Sequence, residues 1–213
     1  MAESIKFYPI NLIVENKKCV VVGGGKVAYR KICGLLDAGA IVEVISPKIC
    51  AEIDKLVSAG KITWLAEKYS AEKISDGLIL IAASDDAEVN RKAAEDARSK
   101  NFLVNVVTDS DTDFTVPSKI LRGDFLLTIS TGGNSPAFSK FVREMLEQEF
   151  NSNFGEGLKI IAERRRELKN ILPDVDARIK FWQDILTPEI WQLLKTGDID
   201  SLKKYLEDFF NEI

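Results

Sequence analysis

Histidine is missing altogether from the 213 residues. Ser-His and Cys-His catalytic pairs and His-ligated metal sites are therefore excluded. Acid–base work near neutral pH falls to a carboxylate, a lysine, a tyrosine or a cysteine, and a carboxylate is the expected choice. Cysteine is sparse: Cys19, Cys33 and Cys50 form no CxxC pair and are odd in number. That pattern fits a reduced cytoplasm, with the thiols acting as small core hydrophobes rather than as metal ligands. No apolar run approaches the roughly 20 residues that would span a bilayer, so no membrane association is expected. The opening stretch MAESIKFYPINLIVENKK has no apolar core behind a basic start and does not read as a signal peptide. A large excess of positive charge is lacking too, with 29 basic against 33 acidic side chains and a net charge of −4. This argues against nucleic acid as a partner. What remains is ordinary globular composition, 46% hydrophobic and 29% charged.

The first half alternates short apolar runs with amphipathic stretches. Lys18–Val22 reads as a strand ended by glycines, and Lys26–Ala38 as a helix stopped by Gly39. Ile41–Ile45 is a second strand, Ile49–Val57 a helix and Ile62–Leu65 a short strand. Leu78–Ala83 follows as a buried strand, Glu88–Lys100 as a helix and Phe102–Val107 as a further strand. Strands alternating with helices indicate a parallel sheet with right-handed crossovers, a Rossmann-like α/β domain. After residue 110 the pattern changes. Phe114–Val116 and Phe125–Ser130 read as strands around the turn Arg122-Gly123-Asp124, an antiparallel element for extending a sheet or for dimerisation. Ser139–Phe150 reads as a helix entered through Ser135-Pro136. From about residue 151 the chain reads as all helix, with Trp182 and Trp191 as core residues of that tail. The expected layout is an NAD-binding domain over 1–113, a central dimerisation and substrate element over 114–150, and an all-α domain over 151–213.

Gly23-Gly24-Gly25-Lys26-Val27-Ala28 directly follows the first strand and opens the first helix. Read as G-x-G-x-x-A, it puts Gly23 at the tight turn and Gly25 where a pyrophosphate approaches the backbone. Ala28 lets helix and strand pack closely. The helix N-terminus, through Lys26 and Val27, offers N–H groups and partial positive charge to the phosphates. One feature departs from the usual fingerprint. The acidic residue that ends the second strand and holds the ribose 2′-OH is replaced by Ser46-Pro47-Lys48. Ser46 is then the expected ribose partner, and the backbone near Pro47 the expected wall of the adenosine pocket. Lys48 leaves the choice between NAD and NADP open, with NAD preferred.

A series of segments in fixed order narrows the reading. Tyr8-Pro9-Ile10 precedes the glycine loop and its Tyr29-Arg30-Lys31 continuation. Ala82-Ala83-Ser84-Asp85-Asp86, Val89-Asn90 and Asn105-Val106-Val107-Thr108-Asp109 come next. Phe114-Thr115-Val116-Pro117-Ser118 then leads into Ser130-Thr131-Gly132-Gly133-Asn134-Ser135-Pro136. From about residue 5 to residue 187 this series resembles the precorrin-2 dehydrogenase/sirohydrochlorin ferrochelatase family, also found as the N-terminal module of siroheme synthases. The resemblance implies a homodimer in which NAD oxidises precorrin-2, a reduced tetrapyrrole carrying several carboxylates, to sirohydrochlorin. In some relatives ferrous iron is then inserted, so iron is an expected substrate there and no resident metal is expected.

The resemblance also assigns residues. Ala83, Ser84 and Asn105 join the glycine loop as cofactor contacts. The family's functional aspartate falls on Asp109, the expected general base. The stretch from Asp109 to Phe114 is about one residue shorter than usual, which keeps Asp111 and Asp113 as alternatives. The turn Thr131-Gly132-Gly133-Asn134-Ser135 feeds a helix N-terminus that can receive a substrate carboxylate. Lys119 and Arg122, with Lys140 and Arg143, flank it as candidate carboxylate partners. Thr131 stands where some siroheme synthases carry a regulatory serine. Two rival readings share the glycine loop: a non-catalytic NAD(H) sensor, and a dehydrogenase for another substrate.

Overall fold

In the computed structural model the described residues are 6–107 and 111–211. The chain divides into two compact units, Tyr8–Val116 and a second within Met1–Phe7 and Pro117–Ile213.

The first unit contains β1 (Lys18–Val22), α1 (Lys26–Asp37), β2 (Ile41–Ile45), α2 (Ala51–Ser58) and β3 (Thr63–Leu65). β4 (Ile79–Ala82), α3 (Ala87–Ser99) and β5 (Leu103–Val106) complete it. All five strands pair in parallel in the order β3-β2-β1-β4-β5. β1 and β4 are near-continuous apolar runs because helices cover both faces of the sheet. Alternate residues serve separate cores. Cys19, Val21, Val44 and Ile81 pack with Ala28 and Ile32 of α1 and Ile53 of α2. Val20, Val22, Leu80 and Val104 pack with Ala93, Ala94 and Ala97 of α3. The alanine face of α3 is the local reason that helix lies close to the sheet. Gly39, at φ +77°, stops α1: its N–H reaches Leu36 O at 2.9 Å, and the Ala40 N–H reaches Leu35 O at 3.0 Å. Those two bonds make the Schellman end that a left-handed glycine permits.

The second unit opens with the antiparallel hairpin of β6 (Ser118–Arg122) and β7 (Phe125–Ile129). α4 (Pro136–Glu149), α5 (Asn153–Ile171), α6 (Val175–Ile185), α7 (Pro188–Thr196) and α8 (Ile199–Phe210) follow. Ile160, Ile185, Ile190, Leu202 and Leu206 form the core of the helical part.

Two expectations are corrected. The hairpin's first strand is Ser118–Arg122, not Phe114–Val116. Phe114 O accepts from Asn105 Nδ2 (2.8 Å) and Thr112 Oγ1 (2.9 Å), so side chains of the parallel-sheet unit hold that stretch. Pro117 then interrupts any ladder for want of an N–H. Trp191 is 37% exposed, and its indole meets Phe150 and Phe154 edge-on at 5.3 and 5.0 Å instead of sitting in the helical core.

Candidate functional site: a cleft at the switch point of the parallel sheet

Strand order reverses between β1 and β4, the place where open α/β sheets leave a crevice at their carboxyl ends. A cleft of ≈ 940 Å³ lies there, walled by the glycine loop, Ser46-Pro47-Lys48, Lys68, Tyr69 and Ala83-Ser84-Asp85-Asp86, with Val89 and Val107.

The glycine loop is shaped by three different demands. Gly23 has φ +127°, and a Cβ there would stand 2.4 Å from Ala83 O, so β1 and β4 can end side by side only with glycine. A Cβ on Gly24 would stand 1.9 Å from Lys48 O. Gly25, the N-cap of α1, has an ordinary φ of −88° and nothing within 4 Å of a built Cβ. No side chain caps that helix. An open glycine at an uncapped helix N-terminus is the cradle a pyrophosphate fits, with bare N–H groups and no Cβ in the way.

The loop after β2 is welded to this cradle. Cys50 N donates to Gly24 O (2.8 Å), Gly23 N to Ile45 O (3.0 Å), and Trp64 Nε1 to Ser46 O (2.8 Å). Ser46 is 7% exposed and spends its hydroxyl proton on Lys48 O at 2.7 Å. Its geometry makes it a brace of the loop. Pro47 and Lys48 are exposed on the wall.

Ala83 and Ser84 form the opposite wall. Asn90 holds them there: its Oδ1 accepts from Ser84 N and its Nδ2 donates to Ser84 O, both at 3.0 Å, with the side chain 1% exposed. Asp86 caps α3 by accepting from Glu88 N (2.9 Å) and Val89 N (3.2 Å). Tyr69 donates to Asp96 Oδ2 (3.1 Å); burial first, and then that carboxylate, push its phenol far above its ordinary range, so the ring presents itself as a neutral, fixed surface. Lys68 and Tyr69 carry no motif of their own and were missed in the sequence, and the Val89-Asn90 segment did not disclose the bracing role of Asn90. The only available signal was that β3 ends just before Lys68.

Not every expected cofactor contact lies on the wall. Asn105 sits on β5 outside the cleft lining, with Nδ2 donating to Phe114 O and Thr112 Oγ1 (3.2 Å) and a buried Oδ1 that has no partner among the described residues. Asp109 lies outside the described residues. Its alternatives are engaged in ion pairs: Arg98 meets Asp111 at 2.8 Å and Asp113 at 3.1 Å, and Asp113 Oδ2 also accepts from Val104 N at 2.8 Å.

The expected substrate contacts belong to the second unit. Gly132 (φ +64°) and Gly133 (φ +83°) turn the chain into α4. Thr131 Oγ1 accepts from Ser135 N (3.2 Å) and lies 3.1 Å from both Ser135 O and Ser139 Oγ. Asn134 Nδ2 donates to Thr131 O (2.9 Å), and Ser135 Oγ accepts from Phe138 N (3.2 Å). Pro136 has no N–H, so this turn keeps few backbone donors open for an anion. Lys119 faces Thr128 in the hairpin register, near the turn. Arg122 faces Phe125 at the far end, four residues from Ser118 and thus about 13 Å away at the usual strand rise. Its Nε donates to Phe150 O at 2.9 Å, tying the hairpin tip to the end of α4. The structure does not bring Arg122 to the turn.

Comparison with known proteins agrees with this geometry. The sequence profile of the family described as putative NAD(P)-binding matches residues 10–118. The siroheme synthase of Chromobacterium violaceum is 33% identical over 204 residues, covering 95% of this chain and 43% of that protein. That of Actinobacillus succinogenes is 35% identical over 202 residues, covering 94% and 42%. The chain thus spans less than half the length of these relatives. The solved structure of SirC, precorrin-2 dehydrogenase, superposes with a TM-score of 0.78 at 23% identity, over 96% of this chain and all of that one. The cleft at the sheet's switch point, the open Gly25 cradle and the profile match lead to one assignment: this chain belongs to the putative NAD(P)-binding family, with a Rossmann-like α/β unit and a helical C-terminal region.

Proposed function

We propose that the chain oxidises precorrin-2 to sirohydrochlorin with NAD as hydride acceptor. The observation that carries this reading is the glycine cradle in a chain similar along nearly its whole length to siroheme synthases. When bound, the nicotinamide supplies the hydride acceptor, and the protein's part is to place it and to take the accompanying proton. In this reading Gly23, Gly24, Gly25, Lys26 and Val27 cradle the pyrophosphate. Pro47 and Lys48 border the adenosine, with Ser46 beneath them as brace. Ala83 and Ser84, held by Asn90, and Val107 line the way to the reactive end. Asn105 ties Thr112 and Phe114 to β5.

Asp109 is the proposed proton acceptor, because it follows a strand's carboxyl end and the two neighbouring aspartates are engaged by Arg98. Ferrous iron enters this reading only as a second substrate, its insertion using the same carboxylate to collect pyrrole protons. The turn Thr131–Ser135 with Lys119 is proposed as a carboxylate-receiving element. Residues 114–150 are proposed to form a homodimer contact, supported by Leu121, Leu126, Phe138, Phe141 and Met145, each 42% exposed or more.

The reading is tested by Asp109→Asn. It is expected to retain dinucleotide binding while oxidising precorrin-2 at least about a hundredfold more slowly, in keeping with the loss of a general base. An unchanged oxidation rate would move the proton acceptor elsewhere.

A further inference from the structure

We infer that a groove on the helical unit docks an amphipathic α-helix of another protein, one that carries acidic residues beside its apolar face. This groove and the dinucleotide cleft lie in different units.

The groove, ≈ 590 Å³, runs between α5 and α6. α6 is apolar on two sides. Ile185 and Phe181 pack into the helical core. Val175, Ile179, Trp182 and Leu186 line the groove, and Val175, Ile179 and Leu186 are each more than half exposed. Their spacing of four, three and four residues is the heptad seam on which a second helix packs. The seam runs about 16 Å along the axis, three turns. That length suits a helix better than a compact small molecule.

The opposite wall fixes the charge of the occupant. Ile161, Arg165 and Lys169 follow one another at one-turn spacing along α5. Arg165 and Lys169 are exposed and in no ion pair among the described residues. Their neighbour Arg164, by contrast, is engaged by Glu167 at 2.8 Å and lies 5.6 Å over the Phe210 ring. Arg178 adds a third cation to the rim, held there as its Nη1 donates to Leu172 O (2.7 Å) and Pro173 O (2.6 Å). No acid lines the groove among the described residues, although the whole chain carries a net charge of −4. Cations beside an apolar seam complement acids placed one turn apart along the flank of a docked helix. A second copy of this chain fits less well. Two copies facing groove to groove bring two basic rims together. The exposed apolar face of α4 is no better, because its acids are engaged, Glu144 by Lys140 and Glu147 by Arg143.

The test is fluorescence anisotropy of two labelled synthetic helices titrated with the full chain. Both carry leucines at the same four-three-four spacing; one has flanking glutamates one turn apart, the other lysines. The glutamate helix is expected to bind at least about tenfold more tightly at low salt, an advantage that shrinks as salt rises. Arg165→Glu combined with Lys169→Glu should weaken the glutamate helix at least about tenfold and make the lysine helix the tighter one. Ile179→Asp should weaken both helices at least about tenfold. All three side chains are exposed, so thermal melts of the variants should match that of the unaltered chain. Equal binding of the two helices, or no binding of either to the folded chain, would overturn the inference. So would glutamate-helix binding that survives both sets of substitutions. Sedimentation showing self-association that Ile179→Asp abolishes would assign the groove to a second copy and overturn it as well.

Discussion

The two units use their apolar residues differently. In Tyr8–Val116 the strands β1 and β4 are almost wholly buried, and the large exposed apolar side chains are confined to residues 8–13, Ile41 and Val116. In the second unit α4 alone exposes Phe138 (57%), Phe141 (57%) and Met145 (52%), while Ile171, Val175, Ile179 and Leu186 are exposed on and around α6. A sheet covered on both faces satisfies its own apolar demand and so can devote its strand ends to a ligand. A hairpin with loosely covered helices leaves faces suited to burial by something else. The chemistry of cofactor binding is thus legible inside one unit, whereas the second declares surface more than site.

The sharpest break in that contrast comes from the glycines. Gly23→Val forces a side chain into Ala83 at a left-handed φ and is expected to cost the first unit about 3 to 5 kcal/mol. Thermal melting followed by circular dichroism would read it; an unchanged melt would contradict the tight strand-end packing. Gly25→Ala, two residues on, should change stability by less than about 0.5 kcal/mol yet weaken NAD at least about tenfold, since only a ligand occupies that space. Next in size is Leu202→Ala. That side chain is fully buried in the helical core, and its truncation should destabilise the second unit by about 2 to 4 kcal/mol. Calorimetric NAD affinity should stay within about twofold, because every cleft residue belongs to the first unit.

Asn90→Ala removes both bonds to Ser84 and leaves its part-buried amide and carbonyl without that partner, an expected loss of about 1 to 2 kcal/mol with a severalfold weaker NAD titration. The smallest effect on stability is reserved for Phe138→Ser combined with Phe141→Ser. Each exposed change should alter folding by no more than about 0.5 kcal/mol, while light scattering should report a shift from dimer to monomer. A dimer that persists unchanged would remove these side chains from the contact.

Local patterning carried much of this. The G-x-G-x-x-A loop, the alternation of strands and helices and the Gly39 stop are all written within a few residues of where they act. What escaped depends on chain segments meeting from a distance. Lys68 and Tyr69 reach the cleft only because β3 pairs beside β2. Asn90 stands in the Val89-Asn90 segment of the motif series, but its bonds to Ser84 form only once α3 packs beside the end of β4. Phe114–Val116 has strand-like composition but is held by Asn105 and Thr112 instead of a partner strand. Arg122 lies close in sequence to the Thr131 turn, yet antiparallel pairing carries it to the opposite end of the hairpin. Arg98, unmarked by any motif, pairs with both Asp111 and Asp113.

The most direct test of the account is anaerobic incubation of the purified chain with precorrin-2 and NAD, following NADH and the tetrapyrrole spectrum together. The account predicts one NADH formed for each sirohydrochlorin, at a rate abolished by Gly25→Val. Demonstrable NAD binding with no NADH formed, and precorrin-2 left unoxidised, would contradict it.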